Sequence, residues 1–237
     1  MLLELLKSTE NSLLYYKKPR IHSARSLNFR LQMVSKKLGK GKSSKNMTIL
    51  TIIYFAAIVV EMIIRAPLNK KRKAEKMTER RVTSQESTLL LLLFVGMLLA
   101  PIIYAATNWL DFANYTLPVW AGWLGVFILA GALFVFWRAH ADLGLNWSPT
   151  LEIREKHELI TKGIYSVIRH PMYASQWLWV IAQPLLLQNW VAGWLNLLLF
   201  IPFYILRVKA EEQLMIEQFG EQYRAYMQKV GAVFPKM

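Results

Sequence analysis

The sequence predicts an all-α fold: an integral membrane bundle of about five transmembrane helices. Three observations carry that reading. Of the 237 residues, 54% are hydrophobic, and they gather into five runs that approach the ~20 residues needed to cross a bilayer's hydrocarbon core. Nine Trp and ten Tyr include Trp109, Tyr115, Trp120, Trp177, Trp190 and Trp194, placed where runs end, as expected of amphipathic rings that anchor at membrane interfaces. The ionisable residues are concentrated in the connectors and at the two ends of the chain.

Residues 1–46 hold eleven Lys or Arg against Glu4 and Glu10, which is +9 of the formal +14. No compact apolar core and small-residue cleavage site follow these positives, so the segment does not read as a secretory signal. It reads as a basic, disordered extension. A stretch of this kind can bind nucleic acid or anionic lipid, but beside five spans the lipid-facing or disordered readings are more economical, and no nucleic-acid fold signature is present. Gly39-Lys40-Gly41-Lys42-Ser43 fails as a phosphate loop because its first required glycine falls on Lys36.

The first run covers 47–64. The loop after it, from Arg65 to Glu86, carries Lys70, Lys71, Arg72, Lys73, Lys76, Arg80 and Arg81, and the positive-inside rule makes it cytoplasmic. The second run is 88–107, followed by an outside connection at 108–117 that contains Asp111 and no basic residue. The third is 118–137, followed by an inside segment at 138–170. Runs at 171–187 and 190–206 form a hairpin through an outside turn at Gln188-Asn189, and the C-terminus returns inside. This alternation places the amino terminus outside, against eleven positive charges. Either Met47 is the biological start and residues 1–46 are an upstream extension, or the first run does not cross. The predicted organisation is 1–46 extension, 47–137 N-terminal spans and 138–237 as the half that carries the candidate site, the hairpin and the C-terminal helix. Gln183-Pro184 and Pro202 fall inside spans and predict kinks whose freed backbone groups neighbours satisfy.

The polar stretch from His157 to Tyr173 is the main candidate site. Pro171 suits a first helical turn, where its missing donor would be unsatisfied anyway, so Arg169 and His170 stand at the head of a span. A helix start of this kind favours a carboxylate or other anion; the plainer reading is that Arg169 snorkels to lipid phosphates and His170 satisfies the helix end. His157, Glu158, Leu159 and Ile160, then Gly163 and Tyr165, form a connector too mixed to span, with Gly163 permitting a turn. Downstream, Arg207 and Glu211 are spaced to share a helix face. Adjacent acids Glu211 and Glu212 at the mouth of a basic membrane protein need a cationic partner. The absence of cysteine excludes disulfides, thiolate nucleophiles and Cys-based metal sites. His140 and Asp142 lack a convergent ligand set, so no metal is expected.

These residues also carry a resemblance. His157-x-Leu159-Ile160-x-x-Gly163-x-Tyr165, then Arg169-His170-Pro171-x-Tyr173, then Arg207-x-x-x-Glu211-Glu212, and Phe219-Gly220-x-x-Tyr223, taken as an ordered set, are similar to the isoprenylcysteine carboxyl methyltransferase family and its phospholipid methyltransferase relatives. The resemblance covers about residues 140–235. It implies a cytoplasm-facing pocket for S-adenosyl-L-methionine, closed by a C-terminal helix. The matching cofactor positions are His157, Glu158, Leu159, Ile160, Tyr165, His170, Pro171, Met172, Tyr173 and Glu211. Arg207 matches the substrate-side arginine, which makes Arg207 and Glu211 the expected catalytic pair. A polar group that some members carry just before these motifs has no clear counterpart, since Thr150 and Glu152 occupy the neighbourhood.

The expected function is methyl transfer from S-adenosylmethionine to a lipid-borne acceptor, with the C-terminal carboxylate of an isoprenylcysteine favoured. The implied partners are a membrane lipid or prenylated substrate and the bilayer, with no nucleic acid. Two alternatives are a phospholipid ethanolamine N-methyltransferase, in which Arg207 meets a phosphate, and a non-catalytic lipid-binding or scaffold protein. A scaffold has no need for the motifs together.

Overall fold

The five apolar runs become five long helical segments whose ends are set by prolines, caps and polar residues. The computed structural model describes residues 48–72, 77–80, 84–144, 152–154 and 159–236. Helix α1 spans Ile49–Arg72 and opens on Thr48, whose hydroxyl accepts from Thr51 N at 3.3 Å, satisfying one of the donors a helix start leaves orphaned. Helix α2, Ser84–Phe94, continues through a π-helical turn at Val95–Leu99 into α3, Ala100–Ala106, so the second run is one span with a widened turn. Helix α4 is Val119–Leu143, α5 is Pro171–Leu187, α6 is Trp190–Phe219 and α7 is Glu221–Lys229.

Ile49–Pro67, Ser87–Ala106, Val119–Leu143 and Trp190–Phe219 are long and apolar enough to cross a membrane. Helix α5 has 17 residues; at 1.5 Å per residue it rises about 25 Å, the short end of the spanning range. The chain is an integral membrane protein built as a helical bundle.

The predicted hairpin forms because its turn residues supply both caps. Gln188 adopts the left-handed conformation (φ 48°) after α5, and Asn189 Oδ1 accepts from Val191 N and Ala192 N at 3.0 and 2.9 Å. Asn189 Nδ2 donates to Leu110 O (2.7 Å) and Asn114 Oδ1 (2.8 Å), so both connections assigned to the outside meet at one end of the bundle. At the other end, strand β1, Met77–Arg80, pairs antiparallel with strand β2, Glu152–Arg154, setting Met77 opposite Arg154 and Arg80 opposite Glu152. The sequence does not predict these strands: Met77–Arg80 does not alternate apolar with polar residues, and the three residues of Glu152–Arg154 are too few to establish a period. A parallel bridge joins Ile168 to Gly231. The loop after α1, the connector after α4 and the C-terminal tail therefore share one end, as five crossings require.

Lipid tails are as apolar as leucine, so close helix approach and buried hydrogen bonds matter more here than transfer out of water. A Cβ on Gly96 would lie 2.8 Å from Asn196 Cα, and one on Gly193 the same distance from Pro184 Cα. Those contacts bring the π-turn, α5 and α6 together around one polar knot. Gln183 Nε2 donates to Gly96 O (2.9 Å) and Ala192 O (2.6 Å), and Asn196 Nδ2 donates to Gln183 Oε1 (2.8 Å). Tyr115 donates to Pro184 O at 2.7 Å, a carbonyl that also accepts from Gln188 N; the carbonyl that a proline at 184 frees is that of Val180, one turn earlier. Trp109, Trp120 and Trp190 are exposed, whereas Trp177 is partly buried beside Phe200 and Tyr204, with ring centroids 5.0 and 5.4 Å away. The tryptophan that α5 buries fully is Trp179.

Candidate active site

The connector between α4 and α5 is held by one carboxylate. Asp142, in the last turn of α4, receives Arg138 Nη2 on both oxygens (2.9 and 3.1 Å) and accepts from Ile164 N at 2.8 Å. The neighbouring Gly163 has φ +62°, and a Cβ there would sit 2.2 Å from Asp142 Oδ2, so both backbone shape and space exclude a side chain. The turn Gly163–Ser166 thereby buries Tyr165. Its carbonyl accepts the hydroxyl of Tyr226 from α7, and its own hydroxyl reaches Ala139 O at 3.4 Å. Burial pushes the Tyr226 hydroxyl up to about 12; burial and then the Glu211 charge push Tyr165 well above the usual range. Both rings are neutral at physiological pH.

Arg169 and His170 meet the adjacent acids, but not as a common pair. Glu212 Oε1 accepts from Arg169 Nη2 at 2.8 Å and lies 3.0 Å from His170 Nε2. Arg169 Nη1 also donates to Met227 O at 3.3 Å and to Val230 O, while Arg169 N and His170 N pair with Gly231 O and Ala232 O at 2.8 and 2.9 Å. The cluster fastens the C-terminal tail to the head of α5, so Arg169 reaches protein acceptors where snorkelling would take it to lipid. His170 occupies the cap position of α5 without a side-chain cap bond, and Pro171 takes the first turn. Glu211 instead receives the Tyr173 hydroxyl on Oε2 at 2.7 Å. Arg207, one turn earlier on α6, is buried, and Glu211 is the carboxylate whose charge acts on it.

A cavity of about 520 Å³ unites these groups. Leu159, Ile160, Tyr165, His170, Pro171, Met172, Tyr173, Arg207 and Glu211 all line it. Helix α6 runs its length, contributing Asn196, Phe200 and Phe203 in the apolar depth, then Arg207, then Glu211, Leu214 and Met215. Tyr223 and Tyr226 of α7 line the polar end, completing it as the C-terminal helix was expected to. His157 and Glu158 lie outside the described residues. His140 sits buried with Nδ1 2.9 Å from Phe136 O, and among the described residues no group of three His, Cys, Asp or Glu could hold a metal ion.

Two residues that the motifs did not indicate also line the cavity. Glu61 and Arg65 of α1 pair at 3.1 Å, and the Arg65 guanidinium stands 4.8 Å from the Phe136 ring centroid. An acid inside an apolar run was the available signal. Glu212 was read only as half of an acidic pair, although its separate role follows from its being one residue further round the helix.

Comparison with known proteins bears on the same half of the chain. Residues 123–217 match the sequence model of the Isoprenylcysteine carboxyl methyltransferase (ICMT) family. The resemblance to that family holds. Similar curated proteins include the Protein-S-isoprenylcysteine O-methyltransferase of Schizosaccharomyces pombe, 35% identical over 33% of this chain and 34% of the relative. Those of Dictyostelium discoideum and Homo sapiens are 29% and 28% identical, over 51% and 56% of this chain and 51% and 50% of their own lengths. The chain thus spans a third to about half of these relatives. A solved eukaryotic intramembrane Ras methyltransferase ICMT aligns at TM-score 0.49 and 20% identity, over 81% of this chain and 69% of that one. The ICMT match contains Tyr165, His170, Arg207 and Glu211 and stops short of α1 and α7.

Proposed function

We propose that the chain is an S-adenosylmethionine-dependent methyltransferase that esterifies the carboxylate of a lipid-borne acceptor, with the C-terminal carboxylate of an isoprenylcysteine as the favoured acceptor. The observation that carries this reading is one cavity with a polar end at Glu211, Tyr165 and His170, an apolar depth at Phe200 and Phe203, and Arg207 between them along α6. Its volume falls in the range of small-molecule sites. The residues fit the donor's chemistry: an acid faces its cations, and neutral tyrosines offer ring faces and hydroxyls to a nucleoside.

When bound, S-adenosylmethionine supplies a methyl carbon that a carboxylate oxygen attacks as the carbon–sulfur bond breaks toward a neutral thioether. Glu211, its rotamer set by Tyr173, balances positive charge at the polar end. The segment from His157 to Ile160, with Tyr165 and His170 to Tyr173, holds the rest of the cofactor. Arg207 orients the acceptor carboxylate, for which a guanidinium is geometrically suited. That carboxylate is already ionised at neutral pH, so the site needs no strong base. Its contribution is alignment and exclusion of water, both served by burial under α7. We assign the polar end to the cytoplasm, because the loop after α1 is basic and lies at the same end of the bundle.

Calorimetric titration of the purified protein with S-adenosylmethionine tests the reading. Saturable heat and a thermal shift are expected. A folded sample that gives neither at millimolar cofactor would remove the methyltransferase reading and leave the lipid-binding one.

A further inference from the structure

The cavity opens sideways as well as toward its polar end. Helix α1 packs on α4 and α5, and α2 packs on α6. Toward the outside end, the Tyr54 hydroxyl donates to Met97 O at 2.5 Å and ties α1 to the π-turn. Nearer the polar end, Met62 of α1 and Phe94 of α2 both line the cavity while being 57% and 50% exposed. A side chain that is both cavity wall and lipid-facing surface marks an opening, and this one gives onto the hydrocarbon. A prenyl-sized chain sliding between Met62 and Phe94 brings whatever it carries past the residue one position before Met62.

That residue is Glu61, 4% exposed and within the apolar span Ile49–Pro67. Its Oε1 pairs with Arg65 Nη2 at 3.1 Å. The pair is neutral as a unit, so it does not call for a charged ligand. A carboxylate offers about four acceptor positions; Arg65 pairs with Oε1 and the Gln176 side chain also hydrogen-bonds to this carboxylate, which leaves further acceptor positions on a group that lines the cavity. It suits a neutral hydrogen-bond donor. A buried acid facing a lipid-side opening is a functional group by default, and helix α1 lies outside the stretch matched by the ICMT family.

We propose that Glu61, held by Arg65, is an acceptor subsite that takes a neutral N–H donor, a peptide-type amide, beside the acceptor's carboxylate. The proposal rests on the methyl-acceptor reading above and deepens it. Arg207 holds the carboxylate, Glu61 reads the neighbouring amide, and together they distinguish an acylated amino acid from a plain fatty acid.

The test compares two acceptors on the detergent-solubilised full chain: an N-acyl S-prenylcysteine, and the same thioether acid with CH2 in place of the amide N–H. Direct binding by calorimetry and methyl transfer are both measured. The wild type should bind the amide acceptor about tenfold more tightly, the effect of a hydrogen bond to a buried charged group. The double variant Glu61→Leu, Arg65→Met removes the pair together, a replacement that buried ion pairs generally tolerate. It should bring the two dissociation constants to within about twofold, with the change in KM and not in kcat. Should it fail to fold, Glu61→Gln serves instead and should cut the preference at least threefold, because half of the side-chain amide is a donor. A folded variant that keeps the full tenfold preference overturns the proposal, as does a wild type that binds both acceptors equally. Acceptor binding with the expected preference but no methyl transfer would remove the enzymatic reading and leave the subsite standing.

Discussion

Replacing Gly163 by alanine should damage cofactor binding although the residue contributes no side chain to the cavity. The backbone there has φ +62°, and the new methyl would be placed 2.2 Å from Asp142 Oδ2. A left-handed conformation costs a non-glycine residue roughly 1–2 kcal/mol, and pushing apart well-packed atoms adds about 1–3 kcal/mol. If the turn escapes by moving, the Asp142 to Ile164 N bond at 2.8 Å is lost and Tyr165 leaves its place. A penalty of about 2 kcal/mol on the competent conformation weakens apparent affinity about 30-fold. The assay is calorimetry with S-adenosylmethionine on Gly163→Ala, Asp142→Ala and the double variant. With Asp142 truncated the clash disappears, so adding Gly163→Ala should cost only the backbone penalty, and the two changes should be non-additive by about 1–2 kcal/mol. Wild-type affinity in Gly163→Ala, or strict additivity, would refute the claim that this contact positions the turn.

Three further outcomes are expected. Glu211→Gln should weaken cofactor binding in calorimetry while Arg207→Ala spares it and lowers turnover on a carboxylate acceptor; equal loss of affinity in both would mark a purely structural pair. Glu212→Gln leaves Arg169, held at 2.8 Å, without its acid in a partly buried setting, which should destabilise by about 1–3 kcal/mol; a melting temperature in detergent unchanged from wild type would count against the tail-fastening role. The chain has no cysteine, so single cysteines report topology cleanly: Ser166→Cys should label only from the cytoplasmic side and Asn108→Cys only from the outside, and the reverse pattern would invert the assigned orientation.

The spans were legible because each is a near-continuous apolar run, and the hairpin because Gln188-Asn189 interrupts the longest of them. Tyr165, His170, Tyr173, Arg207 and Glu211 converge on one cavity, as their ordered motifs suggested. Less was visible where contact depends on tertiary placement. The π-turn at Val95–Leu99 leaves no signature in a uniformly apolar run. The division of labour between Glu211 and Glu212 depends on a 100° step around α6, which places one by Tyr173 and the other by Arg169. Glu61 and Arg65 belong to none of the ordered motifs, and only the fold reveals that the acid is buried against a cavity.

Transfer of a methyl group to a carboxylate is measured by incubating the purified chain with methyl-labelled S-adenosylmethionine, an S-prenylated cysteine acid and phosphatidylethanolamine together. A carboxyl methyl ester gives up its label as methanol in alkali, whereas a methyl on nitrogen does not. Label recovered in the prenylated acid and released by alkali, and lost in Arg207→Ala, is the predicted result. Alkali-stable label in the phospholipid, or no transfer by a protein that binds the cofactor, would contradict it.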